Sequence, residues 1–166
     1  MREVVALGAV PFCQTNVPQT MCTIQASNPL YGETGNPWDK NRECGGSSGG
    51  EGCLVGAGAS VLGIGSDYGG SVRSPAALCG ICSLRPTSGR HLSQIGVREP
   101  TAVAPIWPRV VGGFMAAEVG ALVTAFRAYW DKGHSDASIA PQRFDEDKFA
   151  KRCKILDTTF FGNLRL

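Results

Sequence analysis

The sequence is short of histidine, of lysine and of net charge, and each shortage excludes something. Only His91 and His134 occur, neither at ligand spacing from the cysteines, so an imidazole-rich metal centre has no material. Sixteen basic residues against fourteen acidic ones leave +2, too balanced for nucleic-acid or membrane binding driven by charge alone. No apolar run reaches the roughly 18 residues that a membrane helix needs. Met1-Arg2-Glu3 begins no apolar signal segment, so a secreted protein is not expected. The seven cysteines are odd in number, which argues against a disulfide framework. Cys79-Gly-Ile-Cys82 has no second pair to complete a zinc site and reads as small buried hydrophobes packing a turn. No metal or cofactor is expected.

What the sequence does have is enough apolar material for one core and an excess of glycine. Its 166 residues are 43% hydrophobic, which fits one domain and hardly two. Of 22 glycines, twelve fall between Gly45 and Gly80.

Hydrophobic patterning predicts alternating helices and strands, an α/β class. Val4 to Leu7 ends a helix at Gly8. Ala9 to Gln14 reads as a short edge strand containing Pro11. Residues 15–44 read as loop with short turns, and Gly45 to Gly52 as a Gly/Ser loop. Cys53 to Ser60 suits a tightly packed helix. Val61, Leu62 and Ile64 read as a buried strand running into Ser66-Asp67. Gly69 to Cys79 reads as a turn and a short helix, and Cys82 to Arg85 as a strand. Gly89 to Gly113 is irregular. Ala116 to Lys132 is the clearest helix, with Val119, Leu122, Phe126 and Tyr129 on one stripe, widened by Val123 and Trp130. Asp145 to Lys154 reads as a charged helix or tail. The chain stops soon after an apolar pair, Phe160-Phe161, so a truncated domain is expected.

The glycine-serine segment admits several chemistries. A flexible linker is disfavoured, because Leu54, Val55, Val61, Leu62 and Ile64 interrupt it. A phosphate-binding P-loop needs a lysine after its last glycine, and none is there; the dinucleotide fingerprint also fails. Gly45-Gly46-Ser47-Ser48-Gly49 matches G-x-S-x-G, but Asn41-Arg42-Glu43-Cys44 ahead of it is no strand. Asp131 and His134 could complete such a triad only from positions close together in sequence. Two serine clusters fit better: Gly45 to Gly50, then Asp67-Tyr68-Gly69-Gly70-Ser71-Val72-Arg73, 24 residues on from serine to serine. A serine hydroxyl needs a neighbour to take its proton, and a tetrahedral oxyanion needs preorganised N–H donors. Tyr68, Gly69, Gly70 and Ser71 offer consecutive backbone N–H groups. Asp67 and Arg73 read as braces of that turn.

Together these clusters resemble the amidase signature family, and the match continues through Cys79-Gly-Ile-Cys82 and Leu84-Arg85-Pro86-Thr87. Within that family, Gly8-Ala-Val-Pro-Phe12, Thr15-Asn-Val-Pro-Gln19, Asn28-Pro-Leu30, Asn36-Pro-Trp38 and Glu51 look like the fatty acid amide hydrolase branch. The resemblance covers roughly residues 4 to 135. It implies a partial amidase-signature domain over 1–166, with a mixed β-sheet flanked by helices, a signature core at about 45–87 and no complete second domain.

The resemblance also implies roles. Ser71 would be the nucleophile that becomes the acyl ester. Ser47, after a cis peptide at Gly46, would be the bridging serine, and Ser48 would assist by hydrogen bonding. Tyr68, Gly69, Gly70 and Ser71 would form the oxyanion hole, and Thr20-Met21 would line the site mouth, with Met21 binding substrate. Cys22 stands where mammalian members carry an aromatic residue. The substrate would be a fatty acid amide, with no nucleic-acid partner; a homo-oligomer is possible. The location would be intracellular, with membrane association for full-length relatives. The family's lysine lies well upstream of the first serine cluster. Here only Lys40 precedes Ser47, at the wrong spacing, and Lys132, Lys148, Lys151 and Lys154 follow it. Catalytic groups of this kind act as a unit, so this chain alone is expected to be inactive. The alternatives are a catalytically dead interaction form and a transamidase-subunit-like amidase.

Overall fold

The computed structural model describes residues 2–87 and 110–132. Its centre is a strand that the sequence pattern hides. β5 (Val111–Ala116) lies between β3 (Gly63–Asp67) and β4 (Cys82–Leu84), antiparallel to both. β3 and β4 therefore run in the same direction on either side of it. Gly65 pairs with Gly113, and Cys82 with Ala116. Every residue of β5 is buried. With both faces covered there is no apolar-polar alternation to read, and Gly112-Gly113 looks like a loop.

One face of the sheet carries the aromatic core. α4 (Val119–Lys132) and α1 (Arg2–Ala6) place Leu122, Phe126, Tyr129 and Val4 around Phe114 and Ala116. The Phe114 ring meets Phe126 edge-on, with centroids 4.9 Å apart at 76°. Such a pair adds about 0.5–1.5 kcal/mol beyond the area it buries. The expected stripe of α4 thus faces the core at Leu122, Phe126 and Tyr129, while Val119 is exposed at the helix start. Ala116 ends the strand instead of starting the helix.

The other face carries α2 (Gly49–Gly56) and α3 (Arg73–Cys79), with Val72 and Ala76 packed on Met115. α2 starts four residues before the expected Cys53, because Gly49 and Gly50 are packing residues and not loop formers. A Cβ on Gly49 would overlap Ala26 and lie 2.7 Å from Cys44 Sγ.

The polar loop between α1 and α2 holds a short hairpin, β1 (Ser27–Asn28) with β2 (Gly32–Glu33), after a 3-10 turn at Gln19–Met21. The strand expected at Ala9 to Gln14 does not form. These residues are exposed and find no ladder among the described residues, and Pro11 removes a donor there. Val61 is likewise exposed, and its strand begins only at Gly63. The α/β class, helices on a sheet, is as expected. His91, His134, Asp145 to Lys154 and Phe160-Phe161 lie outside the described residues.

Candidate active site

Residues 44–50 are buried throughout, with Ser47 and Ser48 only 2% and 5% exposed. The Gly46–Ser47 peptide is cis. Ser48 is placed by its neighbours: a Cβ on Gly65 would stand 2.5 Å from Ser48 Oγ and 2.8 Å from Val72 Cγ2. Glycine at that position of β3 leaves the space that the serine occupies. The Ser48 N–H donates to Ser71 O at 3.0 Å, so the two serine clusters meet.

The second cluster is a turn built around one carboxylate. Asp67 closes β3 with its side chain completely buried. Its Oδ1 accepts the Gly70 N–H at 2.8 Å, and its Oδ2 accepts those of Val72 at 3.1 Å and Arg73 at 3.4 Å. These last two are unsatisfied donors at the start of α3, so Asp67 caps a helix whose own N-cap residue, Val72, cannot. Arg73 clamps the same carboxylate with Nε at 3.0 Å and Nη2 at 2.9 Å. Arg85, just after β4, brings a second guanidinium to 3.5 Å. Asp67 and Arg73 therefore brace the turn, as their spacing suggested. Burial alone would push the Asp67 carboxyl up. The hydrogen bonds from Arg73, Val72 and Gly70 outweigh it and hold the group below the usual carboxylate value.

Between Asp67 and Val72, the chain turns through Tyr68, Gly69, Gly70 and Ser71, with Gly70 at φ 132°. The Gly70 N–H is committed to Asp67. Those of Tyr68, Gly69 and Ser71 find no acceptor among the described residues. Ser71 is half-buried, and Met21 lies exposed in the loop before the first cluster.

The C-x-x-C pair is divided between two surroundings. Cys79 Sγ points at Cys44 O, 3.4 Å away, while Cys82 Sγ points at Ala117 O, 3.8 Å away. Burial pushes the Cys44 thiol up to about 11 and that of Cys79 up to about 12. Among the described residues no group of three or more His, Cys, Asp or Glu could hold a metal ion, and no helix is long and apolar enough to cross a membrane.

Two polar residues that carried the resemblance turn out to be structural anchors, a role their sequence did not announce. Glu51 accepts from Thr15 Oγ1 at 2.7 Å and from the Ile64 N–H at 3.1 Å, in space left by Gly63. Asn16 gathers a network of side-chain hydrogen bonds with Gly32, Thr34 and Asn28. Neither lies on a periodic face, so apart from the family resemblance their positions inside glycine- and proline-rich stretches are the only local signal.

Known proteins resemble the chain in sequence and in fold. The sequence matches the Amidase family over residues 1–160. It is 44% identical over 145 residues to fatty-acid amide hydrolase 1 of Sus scrofa, covering 86% of this chain and 25% of that one. It is 41% identical over 155 residues to fatty acid amide hydrolase 1 of Caenorhabditis elegans, covering 90% and 26%. A solved fatty acid amide hydrolase superposes with a TM-score of 0.73 at 37% identity, over 80% of this chain and 24% of that one. The chain thus spans about a quarter of the length of these relatives. Because the family match covers nearly all of this chain, residues 1–160 of 166, the chain belongs to the amidase family.

Proposed function

We propose that this chain carries the acyl-transfer centre of a serine amidase that hydrolyses fatty acid amides, of the N-acylethanolamine or primary amide class. The observation that carries the reading is the bond from the Ser48 N–H to Ser71 O, which sets the serine-glycine loop beside the turn braced by Asp67. The names of the relatives, fatty acid amide hydrolases, support a fatty acid amide as the substrate.

In this reading Ser71 Oγ attacks the amide carbonyl carbon. Its proton passes to Ser47 Oγ as Ser47 gives its own to a base. The carbonyl π pair moves to oxygen, which Tyr68, Gly69 and Ser71 receive with their backbone N–H groups. Gly70 keeps the turn open through Asp67. One such donor is worth about 3–4 kcal/mol in a transition state. Collapse breaks the C–N bond as Ser47 returns a proton to the leaving nitrogen, and Ser71 is left as an acyl ester. Water attacks the ester by the same relay and frees the fatty acid. Ser48 supports Ser47 by hydrogen bonding, and Met21 borders the acyl side.

The base is the unfilled role. Lys40 is exposed on a loop and is not suited to it. The lysine of the family's arrangement has no counterpart ahead of Ser47 in these residues, so the chain alone is expected to turn over poorly.

The test is covalent. A fluorophosphonate probe is applied to the purified chain and the adduct mapped by mass spectrometry, with Ser71→Ala as control. Selective modification of Ser71, slow for want of the base, is the expected result. Modification of Ser47 or Ser48 instead would overturn the assignment of the nucleophile.

A further inference from the structure

Asn16 and Asn28 are the most heavily bonded side chains in the loop ahead of α2, and nothing in the acyl-transfer chemistry uses Asn16. Its backbone carbonyl accepts the Gly50 N–H at 3.0 Å, in the first turn of α2. The approach is so close that a Cβ on Gly50 would overlap the backbone nitrogen of Asn16. Its side chain reaches the far end of the loop. Nδ2 donates to Thr34 Oγ1 at 2.9 Å and to Gly32 O at 3.1 Å, and Ala26 O lies 3.4 Å away. Oδ1 accepts from Asn28 Nδ2. Asn28 in turn donates to Val17 O at 2.9 Å, and its Oδ1 accepts the N–H groups of Leu30 and Tyr31 at 3.0 and 2.9 Å.

These bonds use both donors and the acceptor of the Asn16 amide, and they close residues 17–32 into one loop. The middle of that loop lies on the first serine cluster. A Cβ on Gly46 would stand 2.7 Å from the Ile24 carbonyl carbon and 2.8 Å from Thr23 O. Next to this contact, Thr20 and Met21 both adopt left-handed backbone, with φ of 61° and 56°. Non-glycine residues hold that conformation only where their surroundings fix it. The same loop exposes the apolar side chains of Met21, Ile24, Leu30 and Tyr31, and its backbone at Ile24 lies against Gly46, just ahead of Ser47.

We propose that Asn16 is a positioning residue. Its amide fixes the 17–32 loop against Gly46 and thereby sets the preference of the site for long apolar acyl chains. The proposal rests on the amidase reading above for its substrate, but its geometry is independent of the chemistry at Ser71.

The test compares wild type with Asn16→Ala and Asn28→Ala, using two probes of Ser71, dodecyl and ethyl fluorophosphonate, together with backbone hydrogen exchange. The expected result is a fall of about tenfold in the dodecyl-over-ethyl rate ratio, with the ethyl rate within about twofold of wild type. Exchange at Leu30, Tyr31 and Thr34 should quicken by at least about tenfold, while the amides of α2 and β3 keep their protection. A purely structural role would lower both probe rates together and loosen α2 and β3 as well, and either result overturns the proposal, as does an unchanged ratio. If wild-type Ser71 takes neither probe, the amidase assignment of Ser71 fails. The exchange pattern then decides the role of Asn16 in fixing the loop.

Discussion

Ser48 and Ser71, 23 residues apart in sequence, are joined by one backbone hydrogen bond of 3.0 Å. The bond ties the loop before α2 to the turn before α3, and both helices pack on the same face of the sheet. Everything assigned to the site depends on that junction. The loop carries the proposed relay serine and the turn the proposed nucleophile, and in that proposal neither is useful without the other.

The proposed relay makes the two serines unequal. Ser71→Ala should abolish fluorophosphonate modification. Ser47→Ala should leave the nucleophile in place but remove its proton acceptor, slowing modification by about 100-fold or more. Both variants should keep the wild-type unfolding midpoint to within a few degrees, since each removes a single oxygen. Equal rates for Ser47→Ala and wild type would remove Ser47 from the mechanism.

Asp67 should govern acid stability. Its pKa is held below the usual carboxylate value in the folded chain, against about 3.9 in an unfolded one. The stabilisation is therefore fully present above about pH 4–5 and is lost as pH falls through the folded pKa. Asp67→Ala leaves the N–H groups of Gly70, Val72 and Arg73 without their acceptor. Breaking a buried pair costs about 3–5 kcal/mol. Arg73 is 54% exposed, so water relieves part of its loss and the lower end is expected. Urea unfolding at neutral pH should show that loss, and the difference from wild type should shrink toward pH 2. A pH-independent difference would contradict the depressed pKa.

Gly65→Ala tests how tightly β3 supports the first cluster. The new methyl would meet Ser48 Oγ at 2.5 Å and Val72 Cγ2 at 2.8 Å. One of the two must shift, at a cost of about 1–3 kcal/mol. If Ser48 yields, modification of Ser71 should also slow. Gly58→Ala is the comparison, since nothing lies within 4 Å of its Cβ position and only its left-handed φ of 72° opposes the change. It should leave the Ser71 rate unaltered.

The candidate site was more legible in the sequence than the fold around it. Serine, glycine and aspartate at fixed spacing declare a turn with free N–H groups, because few other residue types can make one. The braces Asp67 and Arg73 follow from the same logic. The fold hid where glycine served packing instead of flexibility. Gly49 and Gly50 read as loop yet open α2, and Gly112-Gly113 read as irregular yet lie in the central strand. Ala9 to Gln14 failed in the opposite direction: its residues suit a strand, but a strand also needs a neighbour to bond. The anchoring role of Asn16 could not be found at all, since its partners at Gly32, Thr34 and Gly50 come together only through the folded loop.

Thiol chemistry gives an independent check on the packing behind the serine loop. Cys13 and Cys22 are exposed, whereas Cys44 and Cys79 are buried in contact with Ala26 and Cys53. Burial pushes Cys44 up to about 11 and Cys79 up to about 12; Cys53 adds to both shifts and Cys44 to that of Cys79. Only the thiolate reacts, and at pH 7 its fraction falls about tenfold for each unit of pKa. Maleimide at neutral pH should therefore modify Cys13 and Cys22 first, and Cys44 and Cys79 only at the rate at which the chain opens. Adding urea should bring the two buried thiols into reaction together, because Cys44 packs against the start of α2 and Cys79 ends α3 on the same face. Early modification of Cys44 in the native chain would mean that the loop leading to Ser47 is open to solvent, and the buried serine relay would have to be abandoned.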